Sequence, residues 1–469
     1  MLFNTLHFLI FFVVVFVLFF TLPHKFRWVM LLAASCYFYM AFIPIYILIL
    51  AFTIVVDYFA GIMIEKSHDK RKRWFLIASL VANIGILAFF KYYNFLNNNL
   101  SLLLGKFGYP DPIPALEIIL PIGLSFHTFQ AMSYTIEVYR GKQKAERHFG
   151  IYALYVMFYP QLVAGPIERP QNLLHQFHNK HSFSIQNLSD GLRLIIYGLF
   201  LKMVIADNVS PYVNSMYANP QNYSSTDIIT ALCFYSIQIY CDFCGYSLIA
   251  IGSAKSMGFN LMNNFHTPYF SRTVSEFWKR WHISLSTWFK DYLYIPLGGN
   301  RVALPRWMFN IFIVFAISGL WHGASWNFVI WGVLWGLLNV GEVLYNKLFS
   351  RPEEKGDFKI WHSIHAAKMF IIATFLWVFF RSENMEKVKL LAKSIKHNFS
   401  LNNSLNVPHL VWALLIVFLV FEIMFYNHRF DKWCEKRDPI IKWSVYIILI
   451  SSIIMFAGIE DIPFIYFQF

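Results

Sequence analysis

The most regular feature of this sequence is a series of long apolar runs separated by short polar stretches. A helix needs about 20 apolar residues to cross a hydrocarbon core of about 30 Å. Such runs begin near Leu6, Trp28, Ile45, Trp74, Ala115, Gly150, Leu192, Ile228, Trp307, Trp326, Ala366, Leu410 and Trp443. The pattern predicts an all-α, polytopic integral membrane protein with about 9 to 12 transmembrane helices. We expect the shorter and more polar runs to form re-entrant or interfacial helices.

The first apolar run, residues 6–22, differs from a secretory signal peptide. It has no basic segment before it and no small-residue cleavage site after it, and further apolar runs follow at once. We therefore expect it to remain in the mature protein as the first span.

Composition agrees with lipid as the main solvent of the chain. Hydrophobic residues make up 57% and charged residues only 14%, whereas roughly a quarter of the residues of a soluble domain are charged. Because a bundle of spans buries its backbone as one unit, we expect a single membrane domain over residues 1–469.

The formal net charge is +13. The basic residues cluster between apolar runs, which is typical of cytoplasmic loops of membrane proteins, so we expect no nucleic-acid partner. Binding of phosphate-bearing ligands near those loops stays open as a second interpretation.

The same basic loops predict an orientation. Lys25 and Arg27 follow the first run and a basic cluster at 66–73 follows the third, whereas the loop around Pro44 has no positive charge. By the positive-inside rule the N-terminus lies outside a cytoplasmic (inner) membrane. Residues 97–114 then lie outside, and the basic residues 140–148 lie inside.

Two interruptions of the apolar runs contain residues that are candidates for a functional role. Residues 165–170 (GPIERP) break a helix beside apolar sequence and predict a structured loop or half-helix. Cys241 and Cys244 form a C-x-x-C, but no second ligand pair at zinc spacing accompanies them. We expect these cysteines to pack in a helix and expect no metal site.

The region from Ser271 to Arg306 is the most unusual part of the chain, because charged side chains alternate there with tryptophans. Helical spacing places Trp278, His282, Leu285 and Phe289 on one face. Lys279, Ser286 and Lys290 fall on another face. This pattern predicts an amphipathic interfacial helix that ends at residues 296–299. His282 is either a hydrogen-bonded interfacial histidine or part of a substrate path, and the basic face is either solvated or binds phosphate.

His322 stands between two apolar runs. At 1.5 Å per residue, Trp307 to His322 covers only about 24 Å, which is less than the core thickness. The histidine is therefore expected within the membrane, where ionisable residues are costly and usually functional. Gly319 and Gly323 would let a substrate or another backbone come close. Taken alone, a structural role and a functional role are equally supported.

Nine segments, in matching order along nearly the whole chain, resemble the membrane-bound O-acyltransferase family, and most closely its bacterial alginate O-acetylation branch. They are residues 89–95 (FFKYYNF), 121–127 (PIGLSFH), 165–169 (GPIER), 242–247 (DFCGYS), 277–286 (FWKRWHISLS), 294–301 (YIPLGGNR), 319–323 (GLWHG), 377–381 (WVFFR) and 464–469 (FIYFQF). The resemblance implies a ring of tilted helices around a central tunnel. Cys244 departs from the branch, where a serine is more common, which puts the hydrogen bonding of Asp242 in doubt.

By this resemblance, residues 271–323 form the catalytic segment, with His322 as the catalytic histidine and His282 as the second histidine. Histidine suits the role of general base, because its ordinary pKa is near neutrality. The residues expected to bind substrate are Trp278, Lys279, Arg280, Asn300, Arg301, Trp321 and Asp242.

The implied reaction moves an acetyl group from cytoplasmic acetyl-CoA, a substrate and not a bound cofactor, to an extracytoplasmic polysaccharide such as alginate. The implied partners are membrane lipid, a periplasmic SGNH-type acetyltransferase and polysaccharide assembly proteins. No G-x-x-x-x-G-K-[ST] phosphate loop occurs, so we expect no direct use of ATP. Two alternatives stay open: D-alanyl transfer to teichoic acid from a carrier-protein thioester, and a polytopic transporter or export channel.

Overall fold

The computed structural model describes residues 1–109, 114–117, 120–163, 165–349, 362–398, 405–426, 428–458 and 462–465. Within these ranges the regular structure is helical, without strands, which confirms the all-α prediction. The Cα positions form two compact units, one of Met1–Ser189 with Ser253–Met262 and the other of Asp190–Gly252 with Asn263–Phe469. The single membrane domain over residues 1–469 stays a prediction.

The described residues of the first unit form nine α-helices. They are α1 (Leu6–Thr21), α2 (His24–Met40), α3 (Ile47–Lys66), α4 (Asp69–Leu87), α5 (Tyr93–Gly105), α6 (Leu124–Tyr139), α7 (Phe149–Met157), α8 (Tyr159–Leu162) and α9 (Pro170–Leu173). A π-helical turn, Ala88–Tyr92, joins α4 to α5, so that helical structure runs from Asp69 to Gly105 without a break. Leu9, Val13 and Val17 of α1 are exposed, as apolar side chains that face lipid are.

The structure of the first unit tests two expectations from the sequence. The apolar run from Gly150 forms only the nine-residue α7, about 14 Å long, so it is too short to cross the membrane by itself. The break at 165–170 is a structured loop, as predicted: Glu168 is fully buried and accepts hydrogen bonds from the Met262 amide and the Asn172 side chain, both at 2.6 Å.

The second unit holds most of α10 and the remaining helices. They are α10 (Ile185–Leu199), α11 (Asp207–Ala218), α12 (Ser225–Ser256), α13 (Val274–Arg280), α14 (Ile283–Phe289), α15 (Leu304–His322), α16 (Trp326–Phe349), α17 (His362–Arg381), α18 (Met385–His397), α19 (His409–Met424), α20 (Phe430–Glu435) and α21 (Pro439–Phe456). α12 is continuous over 32 residues but its last four residues group with the first unit.

Seven helices of the described residues are long and apolar enough to cross a membrane. They are Pro44–Lys66, Asp69–Gly105, Ser225–Ser256, Leu304–His322, Trp326–Phe349, Ser363–Arg381 and Pro439–Phe456. Leu6–Thr21 and His409–Met424 are shorter apolar helices of 16 residues each. The chain is therefore a multi-pass membrane protein, and the position of its N-terminus stays a prediction.

Candidate active site

The sequence pattern predicted a single amphipathic helix around His282, and this prediction is wrong. α13 ends at Arg280 and α14 begins at Ile283, and His282 between them adopts a left-handed backbone conformation with φ of 44°. A residue with a Cβ pays about 1–2 kcal/mol for that conformation. The tertiary structure therefore imposes the break, which the helical spacing of the sequence did not reveal.

A neighbouring segment holds the break by pairing with both of its sides. The amide of His266 donates to the carbonyl of Arg280 at 3.0 Å, and the amide of Ile283 donates to the carbonyl of Asn264 at 2.8 Å. The Asn264 side chain also accepts a hydrogen bond from Ser284 at 2.5 Å. These bonds satisfy backbone groups that the interrupted helix leaves open, and they fix the buried His282 in one position.

His322 is the last residue of α15, and its ring is buried among aromatic side chains. The ring centroid lies 4.9 Å from Trp321, 5.1 Å from Trp331 and 5.3 Å from Phe380. The ring of His282 lies 6.4 Å away. The structure thus brings together the two histidines, 40 positions apart in the sequence, inside an aromatic enclosure.

Glycines allow α15 and α16 to touch, and this contact sets where Trp331 stands relative to His322. A Cβ on Gly319 would lie 2.3 Å from the carbonyl oxygen of Phe328, and one on Gly332 would lie 2.3 Å from that of Phe315. No real Cβ contact is that short, so only glycine fits. Of the two expectations for Gly319, the close approach of another backbone is the one found.

The tryptophans predicted to bind substrate lie in or beside the enclosure. Trp321 contacts His322 and is 6.3 Å from the His282 ring. Trp278 is 5.8 Å from Trp331 and 5.3 Å from Trp335. Trp331 and Phe380 were not singled out from the sequence, because their approach to His322 depends on how α16 and α17 pack against α15.

The guanidinium of Arg280 is fully engaged within the protein. It binds Glu276 at 3.0 and 3.1 Å, the His266 ring at 3.0 Å, the His266 carbonyl oxygen at 3.2 Å and the Tyr426 hydroxyl at 3.1 Å. The pKa of Glu276 is below its ordinary value: burial raises it, but hydrogen bonds from Arg272 and the charge of Arg280 lower it by more. In this conformation Arg280 stabilises the end of α13 and has no donor left for a phosphate.

Three other residues predicted to bind substrate, Lys279, Asn300 and Arg301, are exposed, whereas the two histidines are buried. Asn300 and Arg301 precede the first turn of α15, whereas His322 is its last residue. Over the 19 residues of this helix, its two ends are about 28 Å apart. Asn300 and Arg301 therefore cannot contact a group that is bound at His322.

Asp242 lies in an ion-paired cluster inside the second unit. Its carboxylate is 2.7 Å from the Lys202 ammonium, which is also 2.7 Å from Asp207, and it accepts a hydrogen bond from the Ile465 amide at 2.6 Å. Asp242 thus anchors the segment that contains Phe464 and Ile465. The sequence did not single out Lys202, the cation of this cluster, and residues 466–469 of the last matching segment lie outside the described residues.

The segment that Asp242 anchors is linked to His282 through a chain of ring contacts. Phe464 stacks on Tyr246 at 4.6 Å and contacts Phe243 at 5.5 Å, and Phe243 packs against His282 at 4.7 Å. Asp242 therefore affects the position of His282 indirectly, through the packing of these aromatic rings.

Cys241 and Cys244 are buried in α12 with free thiols. Within the described ranges, no group of three His, Cys, Asp or Glu side chains could hold a metal ion. The buried carboxyl group of Glu422 accepts hydrogen bonds from the hydroxyl of Tyr240 at 3.1 and 3.0 Å and from that of Tyr197 at 3.4 Å.

Comparison with known proteins gives a consistent result. The profile of the membrane-bound O-acyltransferase family matches residues 142–381, about half of the chain. A probable alginate O-acetylase of Pseudomonas putida is 32% identical over the full length of both chains. A peptidoglycan O-acetyltransferase of Helicobacter pylori is 34% identical over 78% of this chain and 73% of its own.

A teichoic acid D-alanyltransferase of Bacillus subtilis is 26% identical over 49% of this chain and 61% of its own. The matches to the two O-acetylating relatives are longer and closer than this one. The matched residues include both buried histidines. Because the matched family is one of acyltransferases, the result favours an enzyme over the alternative of a transporter or export channel. The chain belongs to the membrane-bound O-acyltransferase family and is an O-acyltransferase.

Proposed function

We propose that this enzyme takes an acetyl group from cytoplasmic acetyl-CoA and passes it across the inner membrane for O-acetylation of an extracytoplasmic polysaccharide. The names of the relatives from Pseudomonas putida and Helicobacter pylori support alginate or peptidoglycan as the kind of polymer. A periplasmic SGNH-type protein receives the acetyl group and completes the transfer to the polymer.

The observation that carries this proposal is the buried pair of His322 and His282, whose rings lie 6.4 Å apart. His322 takes the proton from the acceptor hydroxyl, and the oxygen attacks the thioester carbonyl carbon. The C–S bond then breaks and the thiolate of coenzyme A leaves, accepting the proton from His322. His282 orients the donor, and the aromatic side chains around the pair exclude water that would otherwise hydrolyse the thioester.

The two ends of the acetyl-CoA donor lie at opposite ends of α15. Its thioester lies at His322, whereas the charges of Arg301 and Lys279 attract its phosphates at a distance, and the neutral Asn300 offers a hydrogen-bond donor beside Arg301. Because the pantetheine arm separates the phosphates of coenzyme A from its thioester, the length of α15 between Arg301 and His322 is compatible with one extended donor.

The second candidate is D-alanyl transfer from the thioester of a carrier protein to teichoic acid. The similarity to the Bacillus subtilis enzyme favours it. The two candidates use the same carbonyl chemistry and differ in the donor. Binding of acetyl-CoA or of a D-alanyl carrier protein to the purified enzyme distinguishes them.

The test is acetyl transfer from radiolabelled acetyl-CoA by protein reconstituted in vesicles with its extracytoplasmic partner. We expect His322→Ala to abolish transfer and His282→Ala to reduce it. The control is His409→Ala, which removes an exposed histidine from the first turn of α19 and should leave transfer unchanged. Unaltered transfer by His322→Ala would contradict the mechanism.

A further inference from the structure

Three tryptophans beside the histidine pair carry buried N–H groups without an acceptor. The Nε1 atoms of Trp278, Trp331 and Trp335 are enclosed, and no residue of the described ranges accepts a hydrogen bond from any of them. The side chains are 9%, 1% and 0% exposed, respectively. Each is therefore a donor that has lost water without gaining a protein partner.

Such donors are unusual. An indole N–H can only donate, and a buried one normally finds an acceptor. Leaving one unsatisfied destabilises the folded protein. These three are also adjacent, since Trp278 lies 5.8 Å from Trp331 and 5.3 Å from Trp335. A cluster of unsatisfied donors indicates that a substrate atom supplies the missing acceptor.

The position of Trp331 identifies that atom. Its ring is 5.1 Å from the His322 ring and nearly perpendicular to it, at 86°. Because the two rings are in contact, a carbonyl group that reacts at His322 is placed next to Trp331 in our interpretation. The contact of Gly319 and Gly332 holds α16 against α15. The indole N–H of Trp331 is therefore in place before substrate binds, as electrostatic stabilisation of a transition state requires.

We propose that the indole N–H of Trp331, with that of Trp278 beside it, donates a hydrogen bond to the carbonyl oxygen of the bound thioester. This assignment rests on the proposed function. When the acceptor oxygen attacks, the C=O π electrons move onto this oxygen, and the N–H stabilises the resulting oxyanion. As the C–S bond breaks, the carbonyl re-forms and the thiolate leaves.

The experiment replaces Trp331 by 3-benzothienylalanine, in which sulfur takes the place of the N–H while the ring keeps its shape, and separately by Phe. We expect kcat for acetyl transfer to fall by about 10²–10³-fold, the usual cost of losing one oxyanion donor. KM for acetyl-CoA should change little, because the hydrogen bond is strongest in the transition state.

The matched control makes the same two replacements at Trp377. This ring is stacked on Trp331 at 5.6 Å, but its N–H donates to the Tyr269 hydroxyl at 3.2 Å. We expect the Trp377 variants to lose thermal stability with kcat within about threefold of wild type, since a neutral buried hydrogen bond contributes to folding and not to the reaction.

The outcomes separate this inference from the proposed function. If wild type transfers acetyl and the benzothienylalanine variant keeps its kcat but unfolds at a lower temperature, the Trp331 N–H only points at a neighbouring ring and the inference is wrong. If wild type uses a D-alanyl carrier thioester instead, the donor in the proposed function is wrong, and the same kcat comparison with that thioester decides the role of Trp331. Transfer from neither thioester overturns both.

Discussion

Gly332→Ala is the substitution for which the structure gives the most direct expectation. The added Cβ would lie 2.3 Å from the Phe315 carbonyl oxygen and 2.9–3.0 Å from the backbone of Gly319. Ordinary van der Waals contact begins near 3.4 Å, so the backbone of α16 must move away from α15 by about 1 Å. No flexible side chain can yield here, because the atoms in contact belong to two helix backbones.

The expected cost has two parts. Overpacking of this kind destabilises a protein by about 1–3 kcal/mol. The displacement also carries Trp331 away from His322, since both Gly332 and Trp331 lie on α16, and a misplacement of about 1 Å in an active site can lower the rate by 10²-fold. Activity should therefore fall by more than the loss of folded protein explains.

The assay measures thermal unfolding in detergent and acetyl transfer in vesicles on the same preparations. Gly341→Ala is the matched control, because Gly341 lies on the same helix and a Cβ there meets nothing within 4 Å. It should be neutral or stabilising by up to about 1 kcal/mol, as alanine is the better helix former. If Gly332→Ala matches Gly341→Ala in both measurements, the contact between the two backbones is not as described.

Three further predictions concern the supports of the site. Lys202→Met leaves the buried Asp242 and the partly exposed Asp207 without their cation and should lower the free energy of unfolding by about 3–5 kcal/mol; a loss below about 1 kcal/mol in chemical denaturation would count against the cluster. His282→Gly should be more stable than His282→Ala by about 1–2 kcal/mol, because only glycine adopts the left-handed conformation without strain; equal melting temperatures would show that the break is not imposed. Burial, then the charges of Arg280 and His428, lower the pKa of His266 from its ordinary 6.5, so its folded state binds fewer protons than the unfolded one. Stability should therefore fall as the pH drops below about 6.5, and the fall should be shallower in His266→Gln; superimposable pH profiles would refute this.

Local sequence patterns predicted most of the architecture, because each depends on neighbouring residues. Apolar runs placed the long helices to within a few residues: α15 was expected from Trp307 and begins at Leu304, and α16 was expected from Trp326 and begins there. Where a run was short, as at Gly150, length alone did not show that the helix would end at Met157. The resemblance to the family assigned roles to the two histidines, but their distance of 6.4 Å follows only from the structure.

The features that the sequence did not reveal arise from pairing between distant segments. The spacing of Trp278, His282 and Leu285 is that of a continuous helix, and nothing local interrupts it. The interruption depends on Asn264, whose backbone and side chain hold α14 in a new direction. Likewise, the basic character of Arg280 suggested phosphate binding, but its partners His266 and Tyr426 come from other segments.

The two histidines are positioned by different means, and this difference bears on their roles. His282 is held by a strained backbone break whose pairing to Asn264 leaves little freedom, which suits a group that orients a donor. His322 ends a helix next to the extended Gly323, and its ring packs against Trp331 and Phe380. This position at the end of α15 suits a group that exchanges a proton with the acceptor oxygen and the leaving sulfur, as the proposed mechanism requires. Because this enclosure depends on the glycine contact of α15 with α16, substitutions there should impair proton transfer more than donor binding.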